Sequence, residues 1–198
     1  MIDNLIKKIR ALIGDFEKKG IEVFSYNISP IFTIAQSNIT ITQILLNGAI
    51  LGSAQHSYDI TTNKITLIEE SGSLELTSGD IIEVDYTYNK YSTTEILEYI
   101  LSALVYISVH SDNSMDWELD VENNYISPTP ENREEDLICL VASILIKPDY
   151  SQYKTSTVAV TYAGKLSRDA KIERLVCKFT RSLGVFDIVE HDTYNIYL

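Results

Sequence analysis

The stretch Ile82-Glu-Val-Asp-Tyr-Thr-Tyr88, followed closely by Ser92-Thr-Thr-Glu95, contains the change of hydrophobic period on which the fold depends. Up to Tyr88, apolar and aromatic residues alternate with polar ones, which is the period of a strand with one buried face. Ser92 and Glu95 stand three residues apart, as in a capping box, and predict the start of a helix. The apolar stripe of that helix consists of Ile96, Leu97, Ile100, Leu101, Leu104 and Val105. It is too broad for a helix covered on one side only.

The residues before this stretch predict one helix and then a run of short strands. Residues 2–19 have apolar positions at helical spacing, and Gly20 is a plausible end for that helix. Residues 21–91 alternate with period two, and turn residues at Asn47-Gly48, Thr62-Asn63 and Ser78-Gly79-Asp80 divide them into antiparallel strands.

The residues after it predict more helices. A third helix is expected to begin at Thr129-Pro130 and to stop before Pro148, and a last one to run from Ser167 to Leu183, ended by Gly184. The predicted fold is α+β, a helical bundle of about four helices with an inserted antiparallel β-module and an extended C-terminal arm. The helical core would comprise 1–20 and 92–184, the β-module 21–91, and the arm 185–198.

Composition excludes some classes of protein. With 198 residues and 45% hydrophobic content, the chain has enough apolar side chains for a core, which argues against wholesale disorder. No window of 18 uninterrupted apolar residues predicts a membrane span. The charged, amphipathic first ten residues are unlike a signal peptide, so we expect folding in a cytoplasm.

Charge is unevenly distributed along the chain. The net charge of −12 argues against a free-standing binder of duplex DNA, because such a protein would repel the polyanion. Asp112 to Asp136 contains nine acidic residues against Arg133 alone, whereas Lys147 to Arg181 contains eight basic residues against three acidic ones. These sectors are either two solvated faces or complementary surfaces through which copies meet head to tail, and such contacts close into rings.

Two charged clusters are candidate interfaces. Alternation in a strand would place four carboxylates on one face, those of Asp116, Glu118, Asp120 and Glu122. A cation site is one interpretation, but the stretch lacks the central glycine of a calcium loop, and a solvated face is favoured. Helical spacing would align a basic strip of Lys171, Arg174, Lys178 and Arg181. The strip could follow phosphates or grip an acidic partner; a protein partner or plain solvation is favoured over DNA, because no aromatic residue interleaves it.

No pattern of catalytic or metal-binding residues stands out. His56, His110 and His191 are scattered, and neither Cys139 nor Cys177 belongs to a C-x-x-C pair, so zinc is not expected. There is no nucleophile elbow and no glycine-rich phosphate loop. We therefore predict no catalytic residue, no cofactor and no metal, although a triad assembled only in three dimensions would be invisible here.

The order of the motifs has a parallel in a known family. Leu46-Asn47-Gly48, the turn before Ile82, the strand to Tyr88 and the helix start at Ser92 resemble the β-insertion and following helix of the head-to-tail adaptor (connector) proteins of tailed phages. In that family a "V-N-G" hairpin, a "G-D-x-V-x-V-x-Y" strand and a "sDeeL…A" helix follow one another. The resemblance covers the first two thirds of the chain and the rest in outline.

The resemblance implies a structural virion protein rather than an enzyme. It implies a ring of about twelve copies in the virion neck, beneath the portal protein and above a stopper or tail protein. Genomic DNA would pass through without specific binding, and assembly would occur in the host bacterial cytoplasm. By position and character, the C-terminal arm would dock on the portal through Phe186, Ile188, Tyr194, Ile196, Tyr197 and Leu198.

Some features leave alternatives open. The length after residue 110 and the acidic sector depart from the family, so a related neck or tail-completion protein is a second interpretation. A β-rich binding module and an enzyme are further ones.

Overall fold

The computed structural model describes residues 1–68, 74–111, 116–154, 159–162 and 166–181, without the side chains of 180 and 181. These residues form two compact units. The β-unit is Phe16–Ser92, and the helical unit combines Met1–Asp15 with the described residues from Thr93 onwards.

The β-unit contains seven strands in its described part. They are β1 Lys18–Ser25, β2 Ile31–Thr33, β3 Ile39–Leu46, β4 Ala49–Ile50, β5 His56–Asp59, β6 Lys64–Leu67 and β7 Ile81–Tyr88. One antiparallel sheet has the order β1-β7-β3-β4 and the other the order β2-β6-β5. The core of the unit consists of Phe32, Ile34, Ile39, Ile44, Leu51, Ile65, Leu67, Leu74, Ile82, Val84 and Tyr86.

The predicted alternation of buried and solvent-facing residues from Ile82 to Tyr88 is confirmed. In β7, Ile82, Val84 and Tyr86 are buried, while Glu83 and Asp85 are only partly covered. The strand pairs with β1 on one side and β3 on the other, so each of its ladder groups can find a partner. A strand in this central position needs an apolar face, and the alternation supplies one.

The helical unit is built around one central helix. Its helices are α1 Ile2–Ile13, α2 Thr93–His110, α3 Asn132–Ile146 and α4 Arg168–Arg181. Ten of the fifteen residues of α3 are buried, and α1, α2 and α4 all pack against it. Two hairpins complete the described part of the unit, β8 Glu118–Asp120 with β9 Tyr125–Ser127, and β10 Gln152–Lys154 with β11 Ala159–Thr161.

The predicted fold class is therefore wrong. The described residues contain four helices and eleven strands in four antiparallel sheets, which is a mixed α+β arrangement and not a bundle with strands confined to one module. The strands of the β8–β9 and β10–β11 hairpins have three residues each, too few to produce a periodic signal. The predicted arm, 185–198, lies outside the described residues.

The first helix is shorter than predicted. It ends at Ile13, because Gly14 adopts φ +68° and its N–H bonds back to the carbonyl of Ala11. Gly20, the predicted helix end, instead lies in β1. A Cβ there would stand 2.5 Å from the ring of Tyr86, so this position needs glycine for packing.

The third and fourth helices also differ at their ends. The third begins at Asn132, not at Thr129-Pro130, because Glu131 and Glu134 form a reciprocal capping box. The carboxylate of Glu134 accepts the N–H of Glu131 at 2.7 Å. The last helix starts at Arg168, and Gly184 lies outside the described residues.

The β3–β4 turn is tied to the start of β7 by side chains. Asn47 adopts φ +49°, donates from Nδ2 to Asp80 Oδ1 at 2.8 Å, and accepts the N–H of Ile81 at 2.9 Å. The other carboxylate oxygen of Asp80 accepts the N–H of Thr77 at 2.7 Å. The N–H of Thr77 and the amide of Asn47 lower the pKa of Asp80 from 3.8.

This lowered pKa predicts acid sensitivity. Because the pKa of Asp80 is lower in the folded chain, its stabilising contribution is present above 3.8 and is lost as the pH falls through the folded value. We expect the pH dependence of the unfolding free energy to flatten in Asp80→Asn between about pH 6 and pH 2. Urea titrations across this range measure it, with the exposed Glu75→Gln as control. Equal acid sensitivity in the wild type and Asp80→Asn would contradict the prediction.

Candidate functional site

The outer half of α2 presents an apolar surface to solvent. Ile96, Ile100 and Ile107 of this helix are buried, as its inner face requires. Leu101, Val105 and Val109 stand four residues apart on the other side and are 52%, 56% and 72% exposed. The wide stripe in the sequence is thus only partly covered by the residues that the structure describes. We call Leu101, Val105 and Val109 the α2 stripe.

A polar cluster connects α2 to α4. Arg168 donates to the hydroxyl of Tyr106 at 3.2 Å and to Asp169 Oδ1 at 3.0 Å, and the ring of Tyr106 stacks on His110. The bond to Asp169 and the proximity of Tyr106 raise the pKa of Arg168. This guanidinium, whose side chain is 47% exposed, therefore links α2 to α4 at the surface of the helical unit.

The β-unit contains an open apolar groove of about 590 Å³. We call it the β3–β5 groove. It is lined by β3, by Ile50 of β4, by β5 and by the segments after β4 and β5. Ile50 and Ile60 line it and are 70% and 74% exposed. Neither residue was predicted from the sequence. The one local feature that could have indicated them is that each is an apolar residue close to a turn.

The wall of the groove is held by Asn63, at the turn between β5 and β6. Its φ is +56°, and its Nδ2 donates to the carbonyls of Ile34 at 2.6 Å and Gln36 at 2.7 Å. Its Oδ1 accepts the hydroxyl of Tyr58 at 2.7 Å. Burial, followed by the charge of Asp59, raises the pKa of Tyr58, so this hydroxyl remains a donor. One asparagine thus joins the turn to the chain leaving β2.

The predicted acidic face does not form a single cluster. Strand β8 covers only Glu118–Asp120; Asp116, before it, accepts a hydrogen bond from Ser108 at 3.3 Å, and Glu122 is exposed. Asp120 accepts from both the side chain and the backbone of Asn123 at 2.9 Å, and these bonds lower its pKa. Asp120 therefore shapes the hairpin turn. Across the described ranges, no group of three His, Cys, Asp or Glu side chains could hold a metal ion.

The predicted basic strip is divided between core and surface. Lys171 is only 3% exposed, and its ammonium donates to the carbonyls of Pro148 and, at 2.9 Å, Tyr150. Arg174 is exposed and Lys178 half-buried, while the side chain of Arg181 is outside the described part. Lys171 thus serves the interior of the helical unit and does not continue a surface strip.

The sequence also gave no indication of the ion pairs that join α1 to α3. Lys8 Nζ lies 2.9 Å from Glu135 Oε2 and 3.2 Å from Asp136 Oδ1. Burial opposes the charge, but the bonds to both carboxylates raise the pKa of Lys8. Nearby, Cys139 is a buried free thiol, and burial raises its pKa to about 12, which makes it a poor nucleophile.

The chain matches no protein-family model, and the search of curated proteins gives no match either. None of the described helices is both long and apolar enough to cross a membrane. The predicted docking residues Phe186, Ile188, Tyr194, Ile196, Tyr197 and Leu198 lie outside the described residues. The α2 stripe and the β3–β5 groove are two apolar surfaces of the described residues that a partner could cover.

Proposed function

We propose that this chain is a structural assembly protein of the phage head-to-tail adaptor kind. Copies form a ring beneath a portal protein, join the capsid to a stopper or tail protein, and leave a lumen for DNA. The observation that carries this proposal is the α2 stripe, supported by the resemblance of Asn38 to His110 to that family. Catalysis and cofactors have no part in it.

The α2 stripe favours a protein partner over solvent. Three apolar side chains repeat along one helix face, and contiguous apolar patches mark interaction sites when they are larger than isolated residues. Covering these partly exposed side chains contributes about 1 kcal/mol each, or roughly 3 kcal/mol in all. Association costs on the order of 4–15 kcal/mol in lost freedom. The stripe therefore holds copies together only weakly, and a template such as the portal favours the closed ring.

Charge fits a conduit through which DNA slides. A net charge of −12 gives weak, screened repulsion of a passing duplex at physiological salt. Lys171 is buried within the helical unit, which leaves one cation fewer for phosphates. The lumen accordingly conducts DNA without binding a sequence.

The assembly role predicts a sharp effect at the stripe. Leu101→Asp combined with Val105→Asp places two charges where apolar contact is needed, and we expect loss of the assembly that forms in the presence of the portal. Both residues are more than half exposed, so the helix should stay folded by circular dichroism. Light scattering over a concentration series measures the assembly state.

The matched control is Thr93→Asp, which adds a charge at the exposed first residue of the same helix, eight residues before Leu101 and away from the stripe. It should assemble like the wild type. If the wild type stays monomeric and fails to bind the portal, the adaptor function is wrong. If the double variant assembles normally, the stripe is not the contact between copies.

A further inference from the structure

We infer that the β3–β5 groove receives the C-terminal segment Thr193–Leu198 of a second copy as an added strand. This inference rests on the proposed ring and specifies one contact within it. The segment follows the last described helix, and its sequence is Thr-Tyr-Asn-Ile-Tyr-Leu.

The groove has the form that a strand requires. On one side it is bordered by β5, the outermost strand of its sheet, which pairs with β6 alone among the described strands. An outermost strand presents unpaired N–H and C=O groups along its other edge, and a further strand can bond to them. The apolar part of the lining consists of Ile39, Ile41, Ile44, Ile50, Leu51 and Ile60, of which Ile50 and Ile60 are the most exposed, and polar side chains such as Thr40, Thr42 and Ser57 lie among them. Backbone donors beside apolar pockets favour an extended segment over a helix, whose backbone groups are already paired.

The C-terminal segment has the matching pattern. Tyr194, Ile196 and Leu198 recur at every second position, so in a strand all three point to one side. They can enter the groove while Asn195 and Tyr197 face away. A volume of about 590 Å³ lies within the range of roughly 300–1,000 Å³ that holds a compact apolar ligand.

Reach and symmetry point to a second copy. Seventeen residues, 182–198, follow α4, and fully extended they span up to about 60 Å. A compact unit of about 100 residues has a radius of gyration of only about 13 Å, so the segment is long enough to reach a neighbour. The segment and the groove are different surfaces, so the contact is heterologous. Contacts of this kind pass from copy to copy, and they close into a ring when the rotation between neighbouring copies completes a circle.

Cross-linking between two populations of the full chain tests this contact. One carries Ile60→Cys and an affinity tag, the other Ile196→Cys without a tag, both with Cys177→Ser. Cys139 is buried and its raised pKa of about 12 keeps it unreactive. A short bis-maleimide added to the mixture should give a tagged–untagged dimer. The matched control is Ile28→Cys, at an isoleucine of the same unit that is 83% exposed and outside the groove.

The outcomes separate this contact from the ring itself. Equal cross-linking at Ile28 and Ile60, or none at either, overturns the inference, as does linkage of the segment to the portal instead. A third variant carries Ile60→Cys and Ile196→Cys in the same chain. If cross-links form only within this variant and none form between chains, the segment binds the groove of its own copy and the inference is wrong. As an independent measure, Ile50→Asp with Ile60→Asp should weaken assembly roughly tenfold or more relative to Ile28→Asp. Rings that form without the cross-link would refute this contact and leave the ring intact.

Discussion

Lys171→Met is expected to lower the free energy of unfolding of the helical unit by about 2–4 kcal/mol. The ammonium donates to two backbone carbonyls, those of Pro148 and Tyr150, and lies 5.6 Å from the centre of the Tyr162 ring. Methionine keeps the apolar stem, but it leaves both carbonyls without this donor in a site that is 3% exposed. Urea unfolding followed by far-ultraviolet circular dichroism measures the change.

Arg174→Met is the matched control, because it removes one cation from the same helix at an exposed position. Its unfolding free energy should stay within about 0.5 kcal/mol of the wild type. If the two variants are equally stable, Lys171 is not a structural residue.

The comparison also bears on tests of DNA binding. A variant that includes Lys171 loses stability together with charge, so substitutions at Arg174 and Lys178 are the cleaner test of whether the basic face binds DNA.

Asn63→Ala is expected to destabilise the β-unit by about 3–5 kcal/mol. The substitution removes the hydrogen bonds to the carbonyls of Ile34 and Gln36 and to the hydroxyl of Tyr58. It also forces alanine into a left-handed conformation at φ +56°, which costs roughly 1–2 kcal/mol. Loss of the near-ultraviolet signal of the tyrosines on urea titration reports the unfolding.

Asn63→Gly separates the two causes. Glycine adopts a positive φ readily, so this variant loses the side-chain bonds without the backbone strain. It should be more stable than Asn63→Ala by about 1 kcal/mol and still less stable than the wild type. If Asn63→Gly matches the wild type, the side-chain bonds contribute nothing and only the turn conformation matters. Asn63 also supports the wall of the β3–β5 groove, so either variant should weaken the proposed strand contact.

Strong local signals predicted the parts of the fold that they cover. The alternation from Ile82 to Tyr88 predicted a half-buried strand, and positive φ at Asn47 and Gly48 agrees with the predicted turn. Apolar spacing in α1 also predicted its buried face correctly from Ile2 to Ile13. These signals are local, because side-chain period and turn conformation depend on neighbours in the chain.

Helix ends and short hairpins were predicted poorly. The cap of α3 is Glu131 and not Thr129. Several residues near a helix start can accept hydrogen bonds from its free N–H groups, and the folded structure determines which of them does so. The three-residue strands of the helical unit are stabilised by pairing and by burial against the rest of that unit. In one hairpin, Tyr153 and Val160 lie opposite each other and are both buried. Such burial depends on contacts far along the chain, which periodicity does not record.

The candidate sites show the same division. The sequence alone indicated that α2 is apolar on more than one side, and its net charge of −12 argued against a free-standing binder of duplex DNA. Only the tertiary structure decided which half of α2 stays exposed, and only it placed Lys171 in the interior. It also brought β3 and β5, which belong to different sheets, to either side of one groove. The spacing of apolar residues is a property of one segment of the chain, whereas the exposure of each residue depends on which other segments pack against it.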